Sequence, residues 1–550
     1  MKTVIFLISF IAYTYALIDA QVSQGFFLDD FSKKNAKIPE SKPVDLQNLE
    51  PDISISIDAS DTITRVSKYV YGNNANIYMT QMVNQPKLLN LIKTLSPNVI
   101  RFPGGNISNA YFWDKEKNDR PDDIPDSIFV DDGKKVENVW FGKNDTDYTV
   151  TLDNYYKMLE ITNNTGVICV NVGYSRYGTS ENPINQAAHY AANWVRYDNG
   201  RTKFWEIGNE NYGPWVAGFK IDTNLNKDGQ PEIISGKLYG KISKVFADSM
   251  RAAAKEIGSE IKLGVVIIEA KRDSNWYNPV EADWNRGYFN AAGNYADFFI
   301  IHSYFTPYDK DSKADVILES PLHEAPKMME YLIDMCKEFN VEMKPVALTE
   351  WNIFALKSKQ ATSYINGMHA TLVLGELIKN KYGMGNRWNL ANGWEEGNDH
   401  GMLSKGDESG VPLWTPRPPF HYMYYFQQYF GNYMIKTDES TNDDIICYAS
   451  LFDSGEAGLA VINKGKKEMN ISIEVENYEL GDNYYYHSLI GGDDHPEFSL
   501  NVVINGQKSE EKVGGPNVLE VPAYSADTKN GIIIPSPAYS VQYILINNKK

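Results

Sequence analysis

Phe204-Trp205-Glu206-Ile207-Gly208-Asn209-Glu210-Asn211-Tyr212-Gly213-Pro214-Trp215 reads as a short apolar strand that stops at an Asn-Glu pair and opens into a Gly-Pro loop with an aromatic tip. If the strand is one stave of a parallel barrel, a carboxylate at its C-terminal end faces the mouth, where barrel enzymes keep their acids and bases. The plainer reading is a buried strand closed by a polar turn. A short motif of this kind takes its meaning from what surrounds it.

Outward from this stretch, short apolar runs alternate with amphipathic helical stretches. On the N-terminal side, Val70-Tyr71-Gly72 precedes a helix near residues 86–95, and Val99-Ile100-Arg101-Phe102 runs into Pro103-Gly104-Gly105-Asn106. A helix near 152–162 leads to Val167-Ile168-Cys169-Val170-Asn171, and one near 186–197 leads to the opening stretch. On the C-terminal side, a helix over 237–257 leads to the apolar run 263–268, and the run 298–304 follows. A helix over 325–339 precedes Val346-Ala347-Leu348-Thr349-Glu350. A helix over 362–379 precedes a weaker strand, Arg387-Trp388-Asn389-Leu390, and a last helix covers 420–430.

A helix between successive strands implies parallel pairing with crossovers, and about eight such units in the α/β class imply a (β/α)8 TIM barrel. A doubly wound open sheet is the alternative, but no Gly-rich phosphate loop follows any of these strands. Past residue 432 the helices give way to short strands separated by Gly, Asn, Asp and Pro, the pattern of a C-terminal all-β sandwich. Ile53, Ile55 and Ile57 alternate with polar residues, as in a half-buried strand that joins this sandwich. The expected organisation is a signal peptide (1–20), a lead-in or tether (21–50), the extra sandwich strand (51–64), the catalytic barrel (65–431) and the β-sandwich (432–550).

Lys2, an apolar run over residues 4–12 and Ile18-Asp19-Ala20 make up the charged, apolar and cleavage regions of an export signal, so the protein is expected to be secreted, extracellular or periplasmic. The apolar run is too short to span a bilayer, and no later segment reads as transmembrane. The net charge of −18 argues against nucleic acid or an anionic membrane as partner. The 36 Tyr, 23 Phe and 11 Trp serve packing and also suit the C–H faces of sugar rings. Cys169, Cys336 and Cys447 are odd in number, scattered and without metal-ligand spacing, so neither a disulfide framework nor a cysteine metal site is expected. The acidic stretch 122–132 is read as a solvated loop, and no metal or cofactor is expected.

In a barrel the polar residues belong at the strand ends, and here they fall there. The second strand ends at Arg101 before a Gly-Gly turn and Asn106; the fourth ends at Asn209-Glu210. The sixth carries His302 and Tyr304, two apart and therefore on one face; the seventh ends at Glu350-Trp351-Asn352. The last offers Trp388, with Trp394 in the following loop. Two glutamates at one barrel mouth, with carboxyls roughly 5 Å apart, suit a retaining glycosidase, in which one protonates the leaving oxygen and the other attacks the anomeric carbon. Glu210 takes the acid/base part and Glu350 the nucleophile. Asn209 is placed to bond a sugar hydroxyl, and Arg101, His302 and Tyr304 to orient Glu350. Glu206 shares the face of Glu210 and reads as a partner deeper in the barrel.

Arg-Phe-Pro-Gly-Gly-Asn (101–106), Trp-Glu-Ile-Gly-Asn-Glu (205–210) and Thr-Glu-Trp-Asn (349–352) resemble motifs of clan A glycoside hydrolases, above all the family 51 α-L-arabinofuranosidases. Val-Asn-Val-Gly (170–173) and Ala-Ala-Asn-Trp-Val-Arg-Tyr (191–197) are similar to that family as well, and the likeness covers about residues 65–430. The resemblance implies Glu210 as acid/base and Glu350 as nucleophile. The chain departs from the family at Gly72-Asn73-Asn74-Ala75-Asn76, which lacks an acidic residue, and over residues 388–400.

The expected substrate is an oligo- or polysaccharide of plant or algal origin, bound through Arg101, Asn106, Asn209, Trp215, His302, Tyr304, Trp351, Trp388 and Trp394. Long loops at 114–147 and 269–295 suit a polysaccharide cleft. Within the class, an endo-acting, agarase-like galactan hydrolase rivals an arabinofuranosidase; outside it stands a catalytically silent glycan-binding protein. His302 has a bland alternative as a core histidine, as do Trp215, Trp388 and Trp394 as packing residues. Sequons fall at Asn106 and Asn144.

Overall fold

The structure is a computed structural model that describes residues 22–46, 49–116, 119–131, 133–143, 149–273, 277–308, 310–355, 359–397, 399–438 and 441–549. The expected signal peptide (1–20) and the sequon at Asn144 lie outside these residues. Eight parallel strands close a barrel in chain order. They are β1 (Gly72–Asn74), β2 (Val99–Phe102), β3 (Thr165–Val170), β4 (Phe204–Ile207), β5 (Lys262–Val266), β6 (Phe298–Ser303), β7 (Val346–Trp351) and β8 (Met384–Arg387). The helices that cover them are α1 (Pro86–Leu95), α2 (Leu152–Thr162), α3 (Pro183–Asp198), α4 (Gly236–Glu256), α5 (Pro279–Ala292), α6 (Ala314–Phe339), α7 (Tyr364–Lys379) and α8 (Pro418–Tyr429).

Local chemistry sets the helix ends. The side chains of Thr151, Asn182, Ser235, Asn278 and Ser363 cap the first turns of α2, α3, α4, α5 and α7. Asn163, Asn199 and Asn340 close α2, α3 and α6 in the left-handed conformation that asparagine tolerates. Along each barrel strand alternate residues point inward. On β4 that puts Phe204 and Glu206 in the lumen, while Trp205 and Ile207 pack against the helix layer. Val99, Val167, Phe204, Phe298, Ile300, Ala347 and Met384 fill the lower lumen with apolar side chains, so the polar residues are confined to the mouth.

The eighth strand is Met384–Arg387, three residues before the expected Arg387-Trp388-Asn389-Leu390. Met-Gly-Asn-Arg has little intrinsic strand preference, which hid it. Its glycine answers a packing demand, because a Cβ on Gly385 would lie 2.6 Å from Leu377 Cδ1. Trp388 thereby leaves the barrel wall and enters the mouth loop.

The β-rich unit is one 11-stranded sheet. Ile53–Arg65 sits inside it, antiparallel to Tyr433–Thr437 and parallel to Met469–Glu476. The sheet curls over a core that includes Ile55, Ile57, Leu459, Val461, Ile473, Ile534 and Ile544, and Tyr484 near one end bonds Ile533 O near the other at 2.9 Å. Its opposite face, with Tyr448, Ala460 and Tyr543, packs on the barrel: Tyr543 accepts or donates to Thr371 at 2.6 Å and donates to Tyr422 O at 3.0 Å.

Residues 22–46, expected as a tether, are instead bound to both units. Phe27, 1 % exposed, closes the barrel floor against Phe204 and Phe298 at ring-centroid separations of 5.1 and 5.5 Å. Gly383 makes room for it, since a Cβ there would lie 2.1 Å from the Phe27 ring. The Lys34 ammonium caps the end of α8 through Gln427 O and Phe430 O, and Ser41–Pro43 pairs with Ala523–Asp527 of the β-rich sheet. A polar segment with two adjacent phenylalanines carries no periodicity, so only the packing discloses its role. Phe27→Ala should cost about 3–5 kcal/mol, the usual loss for emptying a buried aromatic site. Equilibrium denaturation should show it as a lower midpoint for the barrel transition, and an unchanged midpoint would refute the floor contact.

Candidate active site

The mouth is organised by Arg101 at the end of β2. Its side chain is fully buried and reaches four residues on or just past three other strands, β1, β4 and β7: Nε donates to Glu206 Oε2 at 2.6 Å, Nη1 to Glu350 Oε1 at 2.9 Å and Asn74 Oδ1 at 3.2 Å, and Nη2 to Asn209 Oδ1 at 2.8 Å. A charge buried this deeply is tolerated only when paired and hydrogen-bonded. Burial works against the guanidinium charge, yet Glu206 and Glu350 hold it firmly ionised. Asn74 Nδ2 donates to Thr349 O at 2.8 Å, joining β1 to β7 beside Glu350.

Glu210 stands past the end of β4 with φ of 44°, a left-handed conformation rarely adopted by glutamate. The turn is set by Gly208, φ 87°, where a Cβ would lie 2.0 Å from Asn211 Oδ1. Asn109 clamps the turn: its Nδ2 donates to Asn209 O at 2.7 Å and its Oδ1 accepts from Asn211 Nδ2 at 2.8 Å. Glu210 Oε2 accepts from Trp215 Nε1 at 2.7 Å, and Oε1 lies 2.9 Å from His302 Nδ1. His302 is held from behind by Thr349 Oγ1, 3.1 Å from Nε2. Its Nδ1 also lies 3.8 Å from Glu350 Oε2, to which Tyr304 donates at 3.1 Å. Oxygens of Glu210 and Glu350 and a nitrogen of His302 all fall within 4.8 Å of one another.

Burial raises the Glu210 carboxyl, but the His302 hydrogen bond and charge, the Trp215 N–H and Arg101 more than reverse it, leaving Glu210 below the usual glutamate value. His302 shifts the other way: burial disfavours its charge, yet Glu350 and Glu210 raise it above 6.5. The two opposite shifts favour the imidazole side for a proton shared between His302 Nδ1 and Glu210 Oε1. Tyr304, raised far by burial and by both carboxylates, stays a phenol and a donor. Glu210, His302 and Glu350 also converge as a set of cation-type donor atoms. Arg101, Tyr304, Trp215 and His302 already engage all four carboxylate oxygens, unlike the cluster of free oxygens that a hard divalent cation takes.

Of the residues anticipated from sequence, Arg101, Asn209, Glu210, Trp215, His302, Tyr304 and Glu350 meet in this one network. Trp388 lies against Gly104 and Gly105 beside Asn74, half-buried at the mouth. Asn106 is exposed past that turn. Trp394 is half-buried in the loop after β8, its ring 4.7 Å from the Arg417 guanidinium and 5.3 Å from Lys359 Nζ. Trp351 is a correction. It is fully buried in the helix layer behind β7, because the residue after an inward Glu350 must point outward; it is a packing residue and does not reach the mouth. Sequence reasoning missed Asn74, Asn109 and Thr349. Asn74 ends the short strand Gly72–Asn74 just after the apolar pair Val70-Tyr71, and that end-of-strand position was its available signal. Asn109 sits in a turn after the Gly-Gly pair with no pattern to mark it.

Fold and site together define a barrel with a buried carboxylate, Glu350, facing a partly exposed one, Glu210, at its C-terminal mouth, and a β-rich second unit. The α-L-arabinofuranosidase of Thermotoga maritima, solved with arabinose, has this fold: the TM-score is 0.61 at 18% identity over 90% of this chain and 99% of that one. The family 51 α-L-arabinofuranosidase of Bifidobacterium longum gives 0.61 at 15% identity over 91% and 100%. A Paenibacillus polymyxa xyloglucanase of glycoside hydrolase family 44 gives 0.56 at 11% over 90% and 99%. Among curated proteins, the intracellular exo-α-(1→5)-L-arabinofuranosidase of Acetivibrio thermocellus is 23% identical over 280 residues, 48% of each chain. Its Streptomyces lividans counterpart is 21% identical over 292 residues, 50% of this chain and 38% of that one. The matched region thus spans half or less of these curated relatives. No protein-family model matches the chain.

A histidine raised above its unfolded value near 6.5 adds stability that is complete below that pH and is lost as pH rises through the folded value. Wild-type melting temperature should therefore fall as pH is raised above about 6.5, and His302→Gln should flatten that fall. An equal slope in the variant would show that His302 is not the titrating group.

Proposed function

We propose that this protein is a retaining O-glycoside hydrolase, α-L-arabinofuranosidase-like, acting on a plant or algal glycan through Glu210 as acid/base and Glu350 as nucleophile. The observation that carries the reading is the carboxylate pair, with oxygens within 4.8 Å of each other on opposite sides of the mouth. That spacing admits a sugar carbon between them and leaves no room for a separate attacking water, as retention requires. The likeness to arabinofuranosidases in fold and partial sequence supports the same class.

In the first step Glu350 Oε attacks the anomeric carbon while the leaving oxygen takes the shared proton from Glu210. Arg101 and Tyr304 hold Glu350 in line, each through one oxygen. His302 returns to neutral imidazole as Glu210 gives up the proton, so no net charge is stranded in the buried site. Esterification removes the Glu350 charge that had favoured imidazolium, and Glu210 then stands ionised to take a proton from water in the second step. Asn209 Nδ2, buried and without a protein partner among the described residues, is the donor left over for the sugar hydroxyl beside the reacting carbon. The N-terminal sequence supports export, with the mature chain beginning at Gln21.

Glu350→Ala should lower kcat/KM by about 10⁴-fold or more on whichever polysaccharide a reducing-end screen identifies. Glu210→Ala should lose far less on aryl glycosides whose leaving group needs no proton. Proton NMR of the first-formed product should show retained configuration; inversion would remove Glu350 as nucleophile, and no hydrolysis of any glycan by wild type would remove the enzyme reading. Intact mass of protein recovered from the medium or periplasm should match a chain starting at Gln21. A full-length exported chain would contradict the cleavage assignment.

A further inference from the structure

Beside the carboxylates a row of aromatic rings runs out of the mouth. Tyr304, whose hydroxyl touches Glu350, is 5.6 Å from the His400 ring and 6.4 Å from Phe354. Phe354 lies 6.5 Å from His400 and 4.2 Å from Tyr308, and Tyr308 is 71% exposed. These rings come from three different loops, after β6, β7 and β8. Scattered exposed aromatics need no explanation, but this one ends a row that begins at a reacting carboxylate.

The row is fixed in place. Thr306 and Phe354 bond reciprocally, Phe354 N to Thr306 Oγ1 at 2.9 Å and Thr306 Oγ1 to Phe354 O at 3.1 Å, which ties the β6 and β7 loops. Asn352 Nδ2 donates to Trp388 O at 2.5 Å, and Arg387 Nη1 donates to His400 O at 2.9 Å, which tie in the β8 loop. Burial pushes His400 down to about 4, so its ring is neutral in ordinary buffers. The result is a preformed apolar wall, of the kind that costs little ordering on binding. A core role accounts for the inner rings and leaves Tyr308 unexplained, because most of its surface faces solvent.

We propose that Phe354 and Tyr308 form a second sugar subsite, contiguous with the carboxylate pair, which stacks a further unit of a glycan chain and makes oligosaccharides rather than single glycosides the substrates. The proposal rests on the glycosidase reading for the reacting sugar. Its occupant is a neutral sugar ring: a stacking face needs C–H groups, and the outer rings offer no charge. A protein partner would instead need a broad apolar patch, and Tyr308 stands between exposed Pro307 and the exposed charge of Lys310.

The test is binding of plant and algal oligosaccharide ladders, from monosaccharide to hexasaccharide, to Glu350→Gln by calorimetry, with Tyr308→Ala, Tyr308→Phe and Phe354→Leu on the same background. In the best-binding series, affinity should rise about tenfold from the single sugar to the longer members, the scale of one aromatic anchor at an interface. Tyr308→Ala and Phe354→Leu should abolish that rise while leaving single-sugar affinity within about twofold, and Tyr308→Phe should keep it. An equal rise in Tyr308→Ala, no length dependence, or no binding by any ladder overturns the subsite. Length-dependent binding without hydrolysis by wild type would overturn the glycosidase reading and keep the subsite; hydrolysis without length dependence would do the reverse.

Discussion

Arg101 is the constraint on which the mouth depends. One guanidinium, fully buried, satisfies Glu206 below it, Glu350 across the lumen, Asn209 on the next strand but one and Asn74 on the neighbouring strand. Remove it and Glu206 loses its ion-pair partner, while Glu350 keeps only the titratable His302, 3.8 Å away, as counter-charge. Its planar fork imposes directions as well as charge, since three nitrogens bond four partners at fixed angles. Glu206 therefore has a definite task. It anchors Nε so that Nη1 is left pointing at Glu350, which explains why a second glutamate lies on the face of β4 below Glu210.

That network leaves the opposite wall free for proton handling. Glu210 owes its position to backbone strain at its own φ, to Gly208 and to the Asn109 clamp, and its ionisation to His302 and Trp215. The two glutamates thus have different neighbours by construction: Glu350 faces a permanent cation, Glu210 a titratable one. Two carboxylates in distinct environments are the condition for one to attack while the other exchanges a proton. The supporting frame is correspondingly stiff. Phe27 closes the floor, and the β-rich sheet packs over α7 and α8, the helices on either side of β8 in sequence.

Much of this was legible in the residues. Strand-helix alternation implied the barrel, and polar residues at the ends of apolar runs marked Arg101, Asn209-Glu210, His302 and Glu350. The misreadings have separate physical causes. Trp351 looked like a mouth residue because it is adjacent to Glu350, but strand alternation turns it outward. The eighth strand was hidden because Gly385 within it and Gly383 before it answer to packing by Leu377 and Phe27, a demand that no local propensity reports. The segment 22–46 looked like a tether because a plug of adjacent phenylalanines has no period to detect.

What sequence determined by itself is periodic or local: the order of strands and helices, the switch to an all-β unit after residue 432, and the polar side chains that end β2, β4, β6 and β7. Each of these follows from a few neighbouring residues. What only the tertiary structure decided is convergence. Asn74 and Thr349, 275 positions apart, meet beside Glu350, and Tyr304, Phe354, Tyr308 and His400 line up from three loops. Barrel closure brings first and last strands together, and no periodicity along the chain encodes which loops then face one another.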